Sequence, residues 1–262
     1  MLRLLSVFGG IILLLTLFAC SATAEKSSAA MEGALDSMAV EPEAMAEEIE
    51  VVEVLPPTRD TSELEHTLIA QGLVDAAVLD SSLIVKMKYS TEDNFLGRDV
   101  YGDYDRCYLQ PPVAKRLVKG HAWLKENHPR LRYILFDCVR PRSVQYQMWE
   151  IVKGTDQQNY VAPPGGGGSM HNYGAAVDMG LIHLDTGLVD MGTPFDYFGR
   201  LAQPRHENSY VKKGRLTQEQ VENRRIMRAS LLEAGFHGIL SEWWHFVGFP
   251  RDSVRKWFKI VE

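Results

Sequence analysis

Beyond Pro56 and Pro57 the apolar positions follow two rhythms, one repeating every second residue and one every three to four. The first belongs to strands, whose side chains alternate between two faces, and the second to helices, whose apolar residues gather in a stripe. An extended segment is predicted over 78–89, where Leu83, Val85 and Met87 share one side. The spacing of Val113, Leu117, Val118, Ala122 and Trp123 predicts a helix over 112–128. A nearly unbroken apolar run predicts a buried strand over 131–139, followed by a helix over 141–153 with Pro141 at its start. Pro163, Pro164 and the four glycines at 165–168 predict a turning loop. Over 176–184, Val177, Met179 and Leu181 lie on one strand face and Asp178 on the other, with a turn at Asp185-Thr186-Gly187. Thr217, followed by Glu219 and Gln220, opens a helix over 217–234 that Gly235 stops. A short aromatic strand is expected over 238–248. This irregular order predicts an α+β fold: a single domain with a mainly antiparallel sheet flanked by helices, rather than a doubly wound one.

Composition changes that picture only near the N-terminus, since 262 residues at 45% hydrophobic and 24% charged are ordinary for one globular domain with an appendage. Arg3 precedes an apolar run over 4–18 that is short for a transmembrane helix and has the layout of a secretory signal. Two exits from that signal compete. Leu17-Phe18-Ala19-Cys20 resembles a bacterial lipobox, which would make Cys20 a lipidated N-terminus, while Ala22-Thr23-Ala24 resembles an ordinary cleavage site. Either exit, or a retained anchor, places the domain outside the cytoplasmic membrane, as a periplasmic or cell-surface lipoprotein if Cys20 is used. Residues 21–65 then hold 12 acidic and 2 basic residues, against 22 acidic and 25 basic over 66–262. The acidic stretch reads as a solvated tether, with an Ala/Glu helix near 31–54 as the other option. No basic stripe stands out, which argues against nucleic acid as a partner.

Cys107 and Cys138 remain once Cys20 is set aside. In an exported domain they form either a disulfide or two separate buried thiols. The chemistry concentrates in two clusters, 169–178 (Ser-Met-His-Asn-Tyr-Gly-Ala-Ala-Val-Asp) and Glu242-Trp243-Trp244-His245. Two imidazoles and two carboxylates suit a catalytic zinc, which needs three nitrogen or oxygen ligands, an open position and a carboxylate to take a proton from water. His171, Asp178 and His245 would supply the ligands and Glu242 the base. The competing reading makes Asp178 or Glu242 a buried salt-bridge partner of Arg140, because a carboxylate in an apolar setting is costly unless paired or metal-bound. No HExxH motif decides between them.

The pattern S-x-H-x-x-G-x-A-x-D followed downstream by E-W-W-H resembles the D-alanyl-D-alanine dipeptidases, including those of vancomycin resistance. The likeness extends over roughly 81–247. It takes in Lys88-Tyr89-Ser90-Thr91-Glu92-Asp93-Asn94-Phe95, Asp137-Cys138-Val139-Arg140-Pro141, Met191-Gly192-Thr193-Pro194-Phe195-Asp196 and Glu222-Asn223-Arg224-Arg225. The resemblance implies one zinc ion on the sheet held by His171, Asp178 and His245, Glu242 as general base, and Arg140 as the charge facing the oxyanion. Ser169 would help hold the substrate carboxylate, and Asp196 and Tyr89 its ammonium. Arg140 could instead be a structural partner of Asp137 or Asp196. Val139 stands where the family commonly has an aromatic.

The activity so implied is hydrolysis of a small D,D-dipeptide. An exported enzyme attached to a membrane through a lipid anchor suits turnover or salvage of wall peptides. Depleting a cytoplasmic precursor, as vancomycin resistance requires, does not suit it. A D,D- or L,D-carboxypeptidase of longer wall peptides is the nearest alternative. A non-catalytic wall-peptide-binding lipoprotein is the one from another class, and would be expected to lack the base or a ligand.

Overall fold

The computed structural model describes residues 61–262, which fall within one unit. The signal segment over 1–20, with Cys20, and the tether as far as 60 lie outside the described residues. The boundary drawn at 65 moves, because a helix α1 (Glu63–Ala70) crosses it. Ser62 caps that helix, its hydroxyl accepting from Glu65 N–H while the Glu65 carboxylate accepts from Ser62 N–H. Glu65 is wholly buried and faces Arg106 at 3.5 Å, so the last acidic residues assigned to the tether belong to the folded part.

After α1 come β1 (Val74–Asp75), α2 (Ala76–Leu79), β2 (Ile84–Val85) and β3 (Tyr108–Leu109), then α3 (Pro111–Asn127), β4 (Leu131–Asp137) and α4 (Arg142–Val152). The second half holds β5 (Ala176–His183), β6 (Gly187–Leu188), α5 (Glu207–Lys212), α6 (Gln218–Glu233), β7 (His237–Gly238), β8 (His245–Val247) and α7 (Arg251–Trp257). The main sheet runs β2-β4-β5-β8-β7, with β6 added to the end of β5. It is mixed: β2 lies parallel to β4, and every other pair is antiparallel. A small separate pair joins β1 to β3.

Periodicity explains which face each element buries. Along α3, Val113, Ala114, Leu117, Gly120, His121 and Leu124 are buried at helical spacing. Burying Leu117 or Leu124 fully is worth about 1.5–3 kcal/mol. Gly120 lets α6 approach, since a Cβ there would lie 3.0 Å from both the Ser230 carbonyl and the Tyr133 hydroxyl. The two helices cover one face of β4 and β5, where Tyr133 pairs with Leu181 and its hydroxyl meets Ser230. Asp178 and Gly180 therefore point to the other face, where the site lies.

Two predicted strands come out differently. Over 78–89 only Ile84–Val85 is strand, between the short α2 and a 3-10 turn, Lys88–Ser90. Its pairing is with the distant β4, and the turn presents Tyr89. The aromatic strand over 238–248 is in fact most of a hairpin, β7 and β8 with a loop over 239–244 between them. Glu242 and Trp243 occupy that loop, not a strand. The segment Glu222–Arg225 lies inside α6, and Thr217 is the cap, as expected, in a capping box with Gln220. No described helix is long and apolar enough to cross a membrane.

Candidate active site

Strand register assembles most of the site. Asp137 in β4 stands opposite Asp178 in β5, and Asp178 opposite His245 in β8. Three adjacent strands thus present two carboxylates and an imidazole side by side. The ladder is irregular between Leu135 and Asp137, a local bulge of the kind that re-aims a side chain. His171 arrives from outside the sheet, on the 3-10 turn Met170–Tyr173 that follows the glycine loop. Ser169 caps that turn, accepting from His171 N–H at 3.3 Å, and Gly174 leaves it with φ of 62°, where a side chain would also strike Leu73. Asn172 fastens the turn below, donating to the Arg140 carbonyl at 2.8 Å and accepting from Val261 N–H at 2.8 Å.

His171, Asp178 and His245 converge. His171 Nε2 lies 3.1 Å from His245 Nδ1 and 3.3 Å from Asp178 Oδ1, and His245 Nδ1 lies 2.9 Å from Asp178 Oδ1. Zinc–ligand bonds of ~2.0–2.1 Å in a tetrahedral site put ligand atoms about 3.3 Å apart. The triad therefore fits a zinc ion with little rearrangement. The His171 tautomer fits too: Nδ1 is 2.7 Å from the Cys138 carbonyl, which can only accept, so Nδ1 carries the proton and the Nε2 lone pair faces the cluster. Burial works against charge on both groups, yet mutual attraction wins: His171 is raised above the usual imidazole range and Asp178 is held far below the usual carboxylate range.

Glu242 sits half-buried in the loop before His245, and its carboxylate accepts no hydrogen bond from the described residues. Burial, with Asp178 and Asp196 nearby, pushes it up to about 7 against the pull of His245 and Arg140. A bound cation would bring it down and leave a carboxylate ready to take a proton.

Arg140 is buried and tightly held. Its Nε donates to Asp137 at 2.9 Å, Nη1 to Gln145 at 3.0 Å, and Nη2 bonds Asp137 again while lying 3.7 Å from Asp178. Despite burial, Asp137 keeps its pKa well above the usual arginine value. The structural partnership with Asp137 is thus present, and the one with Asp196 is not. Asp196 instead accepts from the Tyr89 hydroxyl at 2.9 Å. Burial and the Asp178 charge lift Asp196 to about 8, and burial with Asp196 lifts Tyr89 well above its usual value. Among described residues Asp196 is the one non-glycine with positive φ, 59°, a conformation that persists only where surroundings impose it.

Cys107 and Cys138 are joined by a disulfide with Cα atoms 5.3 Å apart. It ties the start of β3 to the segment carrying Asp137 and Arg140. Sequence reasoning named Asp137 only as a possible partner of Arg140 and missed Gln145, which also holds the arginine, and Asn172, which holds the histidine turn.

The profile of the D-ala-D-ala dipeptidase family matches residues 69–260. The D-alanyl-D-alanine dipeptidase of Escherichia coli (strain K12) is 31% identical over 174 residues, 66% of this chain and 83% of that protein. The one from Enterococcus faecium is 31% identical over 182 residues, 61% of this chain and 83% of that protein. A Synechocystis relative of the same name is 27% identical over 53% of this chain and 68% of that protein. A match over 69–260, with the site residues within it, means that this chain belongs to the D-ala-D-ala dipeptidase family of peptidases.

Proposed function

We propose that this protein is a zinc peptidase that hydrolyses the free dipeptide D-alanyl-D-alanine. The observation that carries this reading is the convergence of two imidazole nitrogens and a carboxylate oxygen within 3.3 Å, with the unpartnered Glu242 in the adjoining loop. Zinc held by His171, Asp178 and His245 would supply Lewis acidity to the attacking water and the scissile carbonyl. Glu242 takes the proton from that water and passes it to the leaving amine. Arg140, fixed by Asp137 and Gln145, holds positive charge where negative charge develops on the carbonyl oxygen. The Ser169 hydroxyl accepts from His171 N–H and keeps its own proton to donate to the substrate carboxylate. Asp196, with Tyr89, receives the substrate ammonium. That cation would stabilise a carboxylate that burial otherwise keeps protonated up to about pH 8.

The test is a panel of D,D-, L,D- and L,L-dipeptides and a wall pentapeptide, assayed with and without chelator alongside zinc analysis. About one zinc per chain and turnover confined to free D,D-dipeptides are expected. Full zinc occupancy in a His171→Ala/His245→Ala double variant would refute the ligand assignment. Release of D-alanine from the pentapeptide as fast as dipeptide cleavage would make the enzyme a carboxypeptidase.

We further propose that the domain is exported and held to a membrane through lipidated Cys20, where it salvages dipeptide released in wall turnover. The lipobox-like Leu17-Phe18-Ala19-Cys20 supports this, as does the disulfide, a bond that persists in oxidising compartments. Cys20→Ser should release the protein from membranes or leave its precursor uncleaved. A mature chain starting at Glu25 would show that the other cleavage site is used.

A further inference from the structure

The loop that carries Asp196, residues 191–201, is gripped from one side by α6. Arg224 is wholly buried, and its guanidinium spans the loop: Nε donates to the Met191 carbonyl at 2.7 Å and Nη1 to the Leu201 carbonyl at 3.1 Å. Gln220 and Asn223, from the same helix, bind the side chain and the carbonyl of Asp190 just before it. Glu207 anchors Arg224 and Arg228. Nη2 of Arg224 is buried without a partner among the described residues, an unfavourable arrangement, so the two loop carbonyls and Glu207 carry the hold on this guanidinium.

The same loop is tied to the segment bearing the catalytic base. Trp243, next to Glu242, donates its indole N–H to Thr193 Oγ1 at 2.8 Å, and its ring lies 5.8 Å from the Arg224 guanidinium. Ring contacts hold the body of the loop, with Phe195 against Tyr89, Phe136 and Trp244. A partly open pocket of about 370 Å³ adjoins it, lined by Phe136, Gly180, Met191, Thr193, Phe195 and Trp243 among others. Apolar contacts next to open space tolerate sliding, so the directional bonds add the precision with which the loop stands.

We propose that Arg224 and Trp243 are positioning residues that set the separation of Asp196 from Glu242, and through it the length of peptide the enzyme accepts. A dipeptide carries its ammonium on the α-carbon next to the scissile carbonyl. A site with Asp196 clamped at that span binds both ends of a dipeptide at once and excludes an extended or capped chain. The inference rests on the reading that Asp196 receives the ammonium.

Trp243→Phe is the sharpest probe, because it removes the N–H donor and keeps an aromatic ring over Arg224. Thr193→Val removes the acceptor. Each variant should lose about fivefold to tenfold in kcat/KM for D-alanyl-D-alanine, mainly through KM, the scale of one neutral hydrogen bond. Zinc content and thermal midpoint should stay near wild type, and the preference for the free over the N-acetylated dipeptide should narrow. The double variant should be no worse than either single one, since both remove the same bond. Arg224→Lys, which cannot reach both carbonyls in one plane, should shift KM the same way and further. Equal losses on free and acetylated substrates, residing in kcat, would reduce the clamp to general support and overturn the inference. If wild-type enzyme itself does not discriminate between the two substrates, the ammonium role of Asp196 fails and the inference falls with it. Wild-type discrimination that survives unchanged in Trp243→Phe overturns the inference alone.

Discussion

Burial already favours the neutral form of Glu242, lifting it to about 7, so an uncharged amide of the same shape should cost the fold nothing. Glu242→Gln should therefore keep its zinc and lose about 10²–10⁴-fold in turnover, the usual worth of a general base. Loss of metal along with activity would make Glu242 a ligand instead. For Asp196 the expectation concerns discrimination. Asp196→Ala should impair the free dipeptide by at least tenfold, roughly 1.4 kcal/mol, and hardly affect an N-acetylated one, which has no ammonium to match. Equal effects on both would deny the pairing. The clusters holding His171, Asp178, Glu242 and His245 stand out in sequence because carboxylates in apolar surroundings need a reason to be there, and the structure brings the first two and His245 together. The roles of Arg140, Ser169, Tyr89 and Asp196 are implied by the family resemblance alone. Asp137, a lone acid ending an apolar run, carries the same signal, but sequence offers it only as a partner for Arg140. The structure gives it four tasks: it binds Arg140 through two nitrogens, accepts from Tyr101 at 2.7 Å and from Cys138 N–H at 3.0 Å, and lies 3.7 Å from His171 Nδ1.

Elements with many turns were legible to within a residue or so, as α3, α4 and α6 illustrate, because their stripes and caps are local properties. The two-residue strands were not. Ile84–Val85 is a strand only because β4, fifty residues on, lies beside it, and His237–Gly238 only because β8 folds back on it across the hairpin loop. Local reading also missed the hairpin loop that carries Glu242 and Trp243. The disulfide belongs to this scale, since it ties β3 to the end of β4 and holds the carbonyl that orients His171. A Cys107→Ser/Cys138→Ser variant should lose about 2–4 kcal/mol, a fall in thermal midpoint of roughly 5–10 °C for a domain this size. It should also bind zinc more weakly in competition with a chelator, because Cys138 is freed to shift. Two thiols titrating in unfolded, unreduced wild-type protein would remove the premise, and an unchanged midpoint would show that the bond adds no stability.

At the scale of the whole molecule, the α+β class followed from the order of elements, whereas the parallel β2–β4 pair and the union of distant segments into one site depended on long-range pairing. Stability against acid is a property of that same scale, and the structure predicts one contribution. His121 is wholly buried between α3 and β4 with both ring nitrogens engaged: Nδ1 is 2.9 Å from Asp80, and Nε2 accepts from Tyr133 N–H at 3.3 Å. A second proton would leave Tyr133 N–H without its acceptor. Burial lowers the imidazole from 6.5 to about 4, outweighing Asp80, while Lys125 and Arg132 oppose the charge. Between those values the unfolded chain binds a proton that the native state refuses, so stability falls as pH drops from 6.5 towards 4, by an amount on the order of 3 kcal/mol. Below that window His121 contributes no further loss. Asp80 takes over there: burial opposes its charge, but bonds from Lys125 and Ser82 hold it far below the usual carboxylate range, and its stabilisation fades as acid finally protonates it. Urea midpoints of chelator-stripped protein, taken from pH 7 to 4, isolate the effect from proton–metal competition. His121→Gln should start less stable at pH 7 and then decline less than wild type across the window. Parallel curves for the two proteins would place the acid sensitivity elsewhere.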